Sequence, residues 1–275
     1  MVIFDEITII FVTYIPDLNQ LISKLEYYKN FNIVIVDASP KNNKISKNIK
    51  IKNKLKIINI ENNGQGYANN IGIKSAETKY ALYVDLDTNF EITKINTIYK
   101  YATKLKNWSI LIPNSNNKHL EKKIKLIDNC EASIFFINIK NVKKYEMFDE
   151  KIFFYFEELD YFSRLNKTQD KVYLIPSINV SHSREGSIDK KIVKDINNLK
   201  QWHYLWSMYY VYKKTYNTYY ALKIVYPYML KDLLKILIYI LTLRFSLIKK
   251  RIYRLSGLLN SIFGRASFKR PNEND

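Results

Sequence analysis

Four short apolar segments alternate with helix-like segments in the N-terminal part of the chain, and this alternation restricts the fold more than any other feature. The segments read ITIIFVTY, NIVIVDAS, LKIINIENN and YALYVDLD, and they begin at residues 7, 32, 55 and 80. Each is mostly apolar and rich in β-branched residues, which is typical of strands buried on both faces of a parallel sheet. The pattern therefore predicts an α/β fold whose parallel strands are joined by helices.

The pattern changes after about residue 108. Strand-like segments become more widely spaced, beginning at Trp108, Ala132 and Lys171, and YFEELDYFSRLNK between the last two predicts a short helix. Past Trp202 the sequence is helical in character and crowded with Tyr, Leu, Ile, Lys and Arg, to about Phe268. We expect one α/β domain over residues 1–200 and a basic helical region over 201–275.

The charge of the chain requires an anionic partner. The formal net charge is +18, and from Lys190 onward 17 Lys and Arg face four acidic residues, so about +13 lies in the last third. The lone cysteine, Cys130, excludes an internal disulfide and a multi-cysteine zinc site. The N-terminal apolar run lacks a basic leader and carries Asp5 and Glu6, so we expect a first strand, no signal peptide and a cytoplasmic protein.

Two aspartates, Asp85 and Asp87, stand where the fourth predicted strand ends. Like charges this close repel unless a cation lies beside them, and oxygen ligands suit Mg²⁺ or Mn²⁺. A turn in which both aspartates bond their own backbone is the alternative. Because parallel strands end at the same edge of a sheet, Asp37 at the end of the second strand is expected at this crevice too.

The stretch NNGQGYANN contains Gly64 and Gly66 but lacks the third glycine of a dinucleotide fingerprint, with Asn69 in that place, and it follows the third strand. The chain has no G-K-S/T, which excludes a P-loop. A flexible turn before a helix remains. Either its backbone N–H groups approach a phosphate or sugar, or it is a plain linker.

Two further segments carry candidate chemistry. Glu157, Glu158 and Asp160 lie among Phe and Tyr, a dry setting that raises a carboxylate pKa toward that of a general base; solvated acids at a helix start are the alternative. His182 follows the last predicted strand, where it is either structural or a further metal ligand.

In chain order, these elements resemble glycosyltransferase family 2, and most closely its rhamnosyltransferase-like members in bacterial surface polysaccharide assembly. The resemblance extends over about residues 7–212. It rests on the motifs VTY, VDAS, NNGQGYANNIG, DLD, FDEKIFFYFEELD and HSREGS.

The resemblance implies a GT-A fold, a Rossmann-like mixed sheet flanked by helices, here with C-terminal amphipathic helices. Residues 1–107 would form the nucleotide-binding half of the catalytic domain and 108–200 the acceptor half. It also implies a nucleotide-sugar donor, with dTDP or UDP as the nucleotide, a divalent cation, and inversion at the anomeric carbon. The acceptor would be a saccharide, carried on polyprenyl diphosphate.

The resemblance also implies residue roles. Thr13 and Asp37 would face the base and ribose, Asp87 would bind the metal, Asp85 would support ribose or metal, and His182 would complete the metal shell. Glu158 would be the general base with Glu157 as its neighbour. The remaining donor-side residues would be Asn63, Gly64, Asn69 and Asn70.

Three departures from the family pattern affect these roles. Gln65 replaces a common aromatic residue, and SREGS has one glycine where the family is glycine-rich. Glu158 stands where Asp is usual, which leaves the choice between Glu157 and Glu158 open.

The basic C-terminal sequence is too interrupted by charge for a membrane span, because its longest uncharged apolar run covers only residues 236–243. Its periodic cations predict amphipathic helices lying on the inner face of the cytoplasmic membrane, with Lys and Arg toward anionic headgroups. Helices packed on the catalytic domain, or a homodimer interface, are the alternatives. The interrupting cations are Lys231, Lys235, Arg244, Lys249, Lys250, Arg251 and Arg254.

The sequence bears differently on three other functions. A nucleic-acid-binding protein would be basic and rich in tyrosine, but it has no use for Asp85, Asp87 and Glu158, so no nucleic acid partner is expected. A sugar nucleotidyltransferase needs a Gly-rich basic loop after the first strand, and VTYIPDLNQ has none. A catalytically inactive family member acting as a membrane-associated scaffold stays open.

Overall fold

The computed structural model describes residues 3–47, 49, 54–114, 123–127, 133–182 and 193–271. The chain forms two compact units. The first comprises Met1–Asn63, Tyr67–Phe148 and Tyr161–Asp189, and the second comprises Gly64–Gly66, Asp149–Asp160 and Lys190–Asp275. The predicted boundary near residue 200 stays a prediction. The region around Cys130 and the SREGS element after His182 lie outside the described residues.

Ten strands and eight helices are described. The strands are β1 Ile7–Thr13, β2 Asn32–Asp37, β3 Leu55–Asn59, β4 Tyr80–Val84, β5 Thr88–Asn89, β6 Trp108–Asn114, β7 Lys125–Leu126, β8 Ile134–Asn138, β9 Lys171–Asn179 and β10 Ser181–His182. The helices are α1 Leu18–Tyr27, α2 Gln65–Ser75, α3 Ile92–Lys104, α4 Ile139–Val142, α5 Glu157–Leu165, α6 Val193–Thr215, α7 Thr218–Leu241 and α8 Ile248–Ile262.

The first unit is built on an eight-stranded mixed sheet in the order β3-β2-β1-β4-β8-β6-β9-β7. Strands β1 to β4 are mutually parallel, and β8 then runs antiparallel between β4 and β6. β1 and β4 are almost entirely buried, as their continuous apolar sequence predicts. The α/β architecture and the parallel N-terminal strands are thus confirmed. A two-stranded ribbon of β5 and β10 completes the described sheets.

Helix α1 begins where Asp17 accepts hydrogen bonds from the backbone N–H groups of Asn19 and Gln20, at 2.9 and 3.1 Å. The Ile22 side chain is 51% exposed, so it lies outside the buried face of the helix. Leu21 and Tyr28 are fully buried, because a spacing of seven residues returns to the same face of the helix.

The second unit consists mainly of α6, α7 and α8. Helices α6 and α8 pack at close range because Gly257 has no side chain: a Cβ there would meet the carbonyl oxygen of Trp202 at 2.0 Å. The last helix ends at Ile262, earlier than the predicted limit near Phe268. Among the helices of the described residues, none combines the length and apolar composition needed to cross a bilayer.

One part of the C-terminal prediction is wrong. Arg251 and Arg254 were expected to face lipid headgroups, but both bind the buried carboxylate of Asp232 on α7. The ion pairs are 2.9 Å and 2.6 Å long, and Asp232 is 1% exposed. These two arginines neutralise an internal acid and hold α8 to α7.

Candidate active site

In the first unit, polar side chains occupy the C-terminal ends of adjacent parallel strands. Thr13 ends β1 and pairs in register with Asp37, which ends β2. The Asp37 carboxylate is fully buried and accepts hydrogen bonds from Thr13 Oγ1 at 3.3 Å, Ser39 N at 3.0 Å and Ile45 N at 2.9 Å. Ser39 Oγ in turn accepts from Ile15 N at 2.8 Å. Asp37 therefore fixes the two loops that leave this edge of the sheet.

Asp85 and Asp87 lie just beyond β4, in a turn closed by a hydrogen bond from Thr88 N to Asp85 O at 3.0 Å. The predicted position of both aspartates at the end of a parallel strand is confirmed. Asp85 Oδ1 accepts a hydrogen bond of 2.6 Å from the Tyr83 hydroxyl. Asp87 is only 8% exposed, so its carboxylate is largely removed from water.

Lys24 on α1 supplies a cation beside this turn. Its Nζ donates to Thr88 O at 2.6 Å and to Asn89 Oδ1 at 2.8 Å. Burial lowers the pKa of Lys24, and the negative charge of Asp87 opposes that shift. Lys24 was missed from the sequence. The available signal was its spacing of three residues from Leu21 and four from Tyr28, which places it at the border of the buried face of α1.

The donor set of the turn fits a hard divalent cation. It offers two carboxylates, and the Thr88 hydroxyl is buried without a hydrogen-bond partner among the described residues. The backbone of His182 pairs with that of Thr88 in the β5–β10 ribbon, so the His182 backbone lies beside this turn. Within the described part of the chain, no group of three or more His, Cys, Asp and Glu side chains is arranged to hold a metal ion.

The asparagines predicted near the donor have separate surroundings. Asn70 is buried, and its amide group both donates to Phe148 O and accepts from Phe148 N, each at 3.0 Å. Asn69 is also buried, and Asn63 is half-buried where its N–H bonds Glu61 O. Asn70 therefore holds the backbone at Phe148, which is a positioning contact that the sequence did not indicate.

In the second unit, the turn at Gly64–Gly66 is hydrogen-bonded to the segment Asp149–Asp160 that carries the candidate acids. Gly64 has φ of 109°, and a Cβ there would meet Phe153 O at 2.5 Å, so only glycine fits. Gln65 N, the first helical N–H of α2, donates to Phe153 O at 2.9 Å. The expectation of a flexible turn with free N–H groups is wrong at Gln65, because this N–H is already bonded within the chain.

The segment before Glu157 and Glu158 has an unusual backbone. Tyr155 and Phe156 both have φ of 67°, a left-handed conformation that costs bulky residues about 1–3 kcal/mol each. Ser207 Oγ on α6 donates to Phe154 O at 2.8 Å, which helps to hold this shape. Helix α5 then begins at Glu157, which is 4% exposed, whereas Glu158 is half-buried.

Lys214 at the end of α6 binds both ends of the acidic segment, which comprises Asp149–Asp160. Its Nζ lies 2.7 Å from Asp149 Oδ2 and 2.8 Å from Asp160 Oδ1. Burial alone would lower the pKa of Lys214, but the hydrogen bonds to both carboxylates outweigh it and raise that pKa. Burial would raise the pKa of Asp149, but the hydrogen bonds from Lys214, the Lys151 backbone and Tyr210, together with the Lys214 charge, lower it. Tyr210 also donates to Asp149, at 3.0 Å.

Replacing Lys214 with Met should destabilise the protein. Asp160 is 1% exposed and would lose the Lys214 ion pair, so we expect the free energy of unfolding to fall by about 2–4 kcal/mol, allowing for the partial exposure of Lys214. Urea unfolding followed by circular dichroism measures it. Lys213→Met is the matched control, because Lys213 is an exposed neighbour. Equal stability of the two variants would contradict the ion-pair role of Lys214.

The sequence pattern of glycosyl transferase family 2 matches residues 16–173, more than half of the 275-residue chain. The chain belongs to glycosyl transferase family 2. The predicted family is thereby confirmed, and with it the predicted class of enzyme, a glycosyltransferase. A search of curated protein sequences gave no match.

Solved structures agree with this membership at the level of the fold. A mannosyltransferase from Pyrobaculum calidifontis, in complex with GDP-Man and Mn²⁺, is 10% identical, with a TM-score of 0.57 over 94% of this chain and 87% of that one. S. aureus TarS 1–349 is 14% identical, with a TM-score of 0.53 over 94% and 92%. Its complex with UDP gives 13% identity and a TM-score of 0.52 over the same shares. The predicted GT-A fold is confirmed.

Proposed function

We propose that this family 2 enzyme is a metal-dependent, inverting glycosyltransferase. It would move rhamnose or another hexose from a dTDP- or UDP-linked donor to a saccharide carried on polyprenyl diphosphate. The product would enter a bacterial surface polysaccharide such as an O-antigen or a capsule, at the inner face of the cytoplasmic membrane. The observation that carries the proposal is the meeting of Thr13, Asp37 and the Asp85–Asp87 turn at the ends of three adjacent parallel strands.

The strand-end residues divide into two tasks. Asp37 and Thr13 are hydrogen-bonded to each other at the edge of the sheet where the nucleoside would bind. The family resemblance implies that they contact the base and the ribose. Asp87 would hold Mg²⁺ or Mn²⁺, with Asp85 and His182 as further ligands. When bound there, the cation would neutralise charge that develops on the diphosphate leaving group. Asn63, Gly64, Asn69 and Asn70 would shape the donor side, Asn70 through its hold on the Phe148 backbone.

Glu158 is the proposed general base, with Glu157 beside it. The acceptor hydroxyl oxygen would attack the anomeric carbon while its proton passes to the Glu158 carboxylate. The bond from that carbon to the diphosphate oxygen breaks, and the nucleoside diphosphate leaves with the electron pair. One displacement from the face opposite the leaving group inverts the anomeric centre.

The ligands of two fold relatives support a nucleotide donor and a metal. The Pyrobaculum enzyme binds GDP-Man and Mn²⁺, and TarS 1–349 binds UDP. Two alternatives stay in view. A scaffold without activity would bind no nucleotide. A sugar nucleotidyltransferase would release pyrophosphate from a nucleoside triphosphate and a sugar phosphate.

Calorimetry with UDP, dTDP and GDP, each with and without Mn²⁺, tests the proposal. We expect one nucleotide to bind with Mn²⁺ and to bind at least about tenfold more weakly without it, since a cation held by Asp85 and Asp87 would offset the charge of the diphosphate. The nucleotide that binds identifies the donor class. A folded protein that binds none of the three would favour the scaffold.

A further inference from the structure

Helix α7 presents a long apolar stripe to solvent. Six side chains at spacings of three and four residues lie on one side of the helix, which we call the outward stripe. Their exposed fractions run from 42% to 83%. A helix of this length extends about 36 Å, and the stripe runs along most of it. Scattered single exposed leucines are common on soluble proteins, but a continuous apolar stripe of this length is not. The stripe consists of Leu222, Tyr226, Leu230, Leu233, Leu237 and Leu241.

The packed face of α7 is on another side. Its buried residues are Ala221, Val225 and Asp232, and Asp232 bonds Arg251 and Arg254 of α8. Within the second unit, α7 packs through this side together with Ile224 and Met229, and no residue of the outward stripe belongs to the described core cluster of the unit.

The apolar surface continues past the end of α7. Leu243, Phe245 and Leu247 are 75%, 60% and 45% exposed, and we call residues 241–247 the tip. Leu243 has φ of 54°, a left-handed conformation with which the chain leaves the helix. A tip of this composition suits shallow insertion among lipid acyl chains, with the helix lying in the interface plane.

The charges of α7 and of the residues just beyond it indicate the partner of the stripe. Asp232 is the one acidic residue in the sequence between residues 196 and 272, and it is buried and paired with the two arginines. The other charged residues on α7 and just beyond it are cations: Lys223, Lys231, Lys235, Arg244, Lys249 and Lys250. A second copy of the chain would bring one set of cations against another, which is repulsive. An anionic bilayer offers the opposite charge and an apolar interior.

We propose that the outward stripe and the tip form the membrane-docking surface, and that its partner is a bilayer containing anionic phospholipid. This inference deepens the proposed function, because it rests on a lipid-linked acceptor, and it names the elements that carry the enzyme to that acceptor. It assigns docking to α7 and the tip. Arg251 and Arg254, which the sequence had placed at headgroups, belong to the interior.

Co-sedimentation of the full chain with vesicles tests the surface. We expect binding to phosphatidylcholine vesicles that contain phosphatidylglycerol, weak binding to pure phosphatidylcholine, and weakening in high salt. The double variant Leu237→Glu, Leu241→Glu should bind at least about 100-fold more weakly, since two apolar anchors become anionic. The control is Leu126→Glu, because Leu126 is 56% exposed on β7 of the first unit and Leu237 is 58% exposed. It should bind like the wild type.

Vesicle binding needs no donor and no acceptor, so it fails or succeeds independently of the proposed catalysis. Unchanged binding by the double variant would overturn the assignment, and so would equal binding to neutral vesicles. Sedimentation velocity without lipid tests whether a second copy of the chain occupies the stripe instead. A wild-type dimer that the double variant converts to a monomer would assign the stripe to a second copy of the chain and overturn the membrane proposal.

Discussion

Replacing Asp87 with Asn should abolish Mn²⁺-dependent nucleotide binding and reduce sugar transfer by about 10²–10³-fold, the range typical of losing one electrostatic contact to a developing charge. Asn keeps the shape of the side chain and removes its charge. Asp87 is 8% exposed, so water cannot replace the lost carboxylate efficiently. Lys24 would also lose the negative charge that opposes the effect of burial on its pKa.

Calorimetry with the nucleotide that binds the wild type measures the first effect, and release of nucleoside diphosphate measures the second. Glu91→Gln is the matched control, because Glu91 is an exposed carboxylate four residues further along the chain whose ion pair, with Lys94 at 2.8 Å, is local. It should leave both quantities unchanged. If Asp87→Asn binds nucleotide with Mn²⁺ as the wild type does, Asp87 is not the metal ligand, and the scaffold function gains support.

The strand ends could be predicted because their signals are local. A run such as NIVIVD is continuous, apolar and β-branched, and it ends at an acid, so the buried strand and the position of Asp37 follow from a few neighbouring residues. The same reasoning placed Asp85 and Asp87 after β4. Order along the chain then predicted that these ends meet, because crossover helices make successive strands parallel.

Several contacts of the candidate site residues could not be predicted, because they join residues far apart in sequence. Lys24 reaches Thr88 across 64 residues, and Lys214 reaches Asp149 across 65. Periodicity describes which face of a helix is apolar, but it does not say which distant carbonyl or carboxylate a lysine at the edge of that face will meet. The wrong prediction for Arg251 has the same cause, because its partner Asp232 lies on another helix.

Gly64 shows what each level of description contributes. The sequence shows a glycine before a helix, which indicates a turn. The structure shows why position 64 requires glycine: its φ is positive, and the carbonyl of Phe153 occupies the space that a side chain would need. The Gly64 turn and the acidic segment are therefore in contact through their backbones. The sequence of either motif alone does not predict this contact.

Replacing Glu158 with Gln should reduce kcat by about 10²–10⁴-fold, the usual contribution of a general base, and leave nucleotide binding intact. Glu158 is half-buried, whereas Glu157 is 4% exposed, so an acceptor hydroxyl has better access to Glu158. The strained backbone at Tyr155 and Phe156 and the Lys214 ion pairs fix the start of α5, and Gln preserves the shape of that start. Glu157→Gln, the adjacent matched variant, should retain kcat within about tenfold.

The pH profile distinguishes a base from a structural carboxylate. In the wild type, kcat should fall toward low pH as the base becomes protonated, and Glu158→Gln should lose that acidic limb, since Gln does not titrate. Release of nucleoside diphosphate in the presence of a polyprenyl-diphosphate-linked saccharide provides the rate. If Glu157→Gln removes the limb and Glu158→Gln keeps it, the base is Glu157. If neither variant changes kcat, proton transfer belongs to another group, and the catalytic assignment of the acidic segment is wrong.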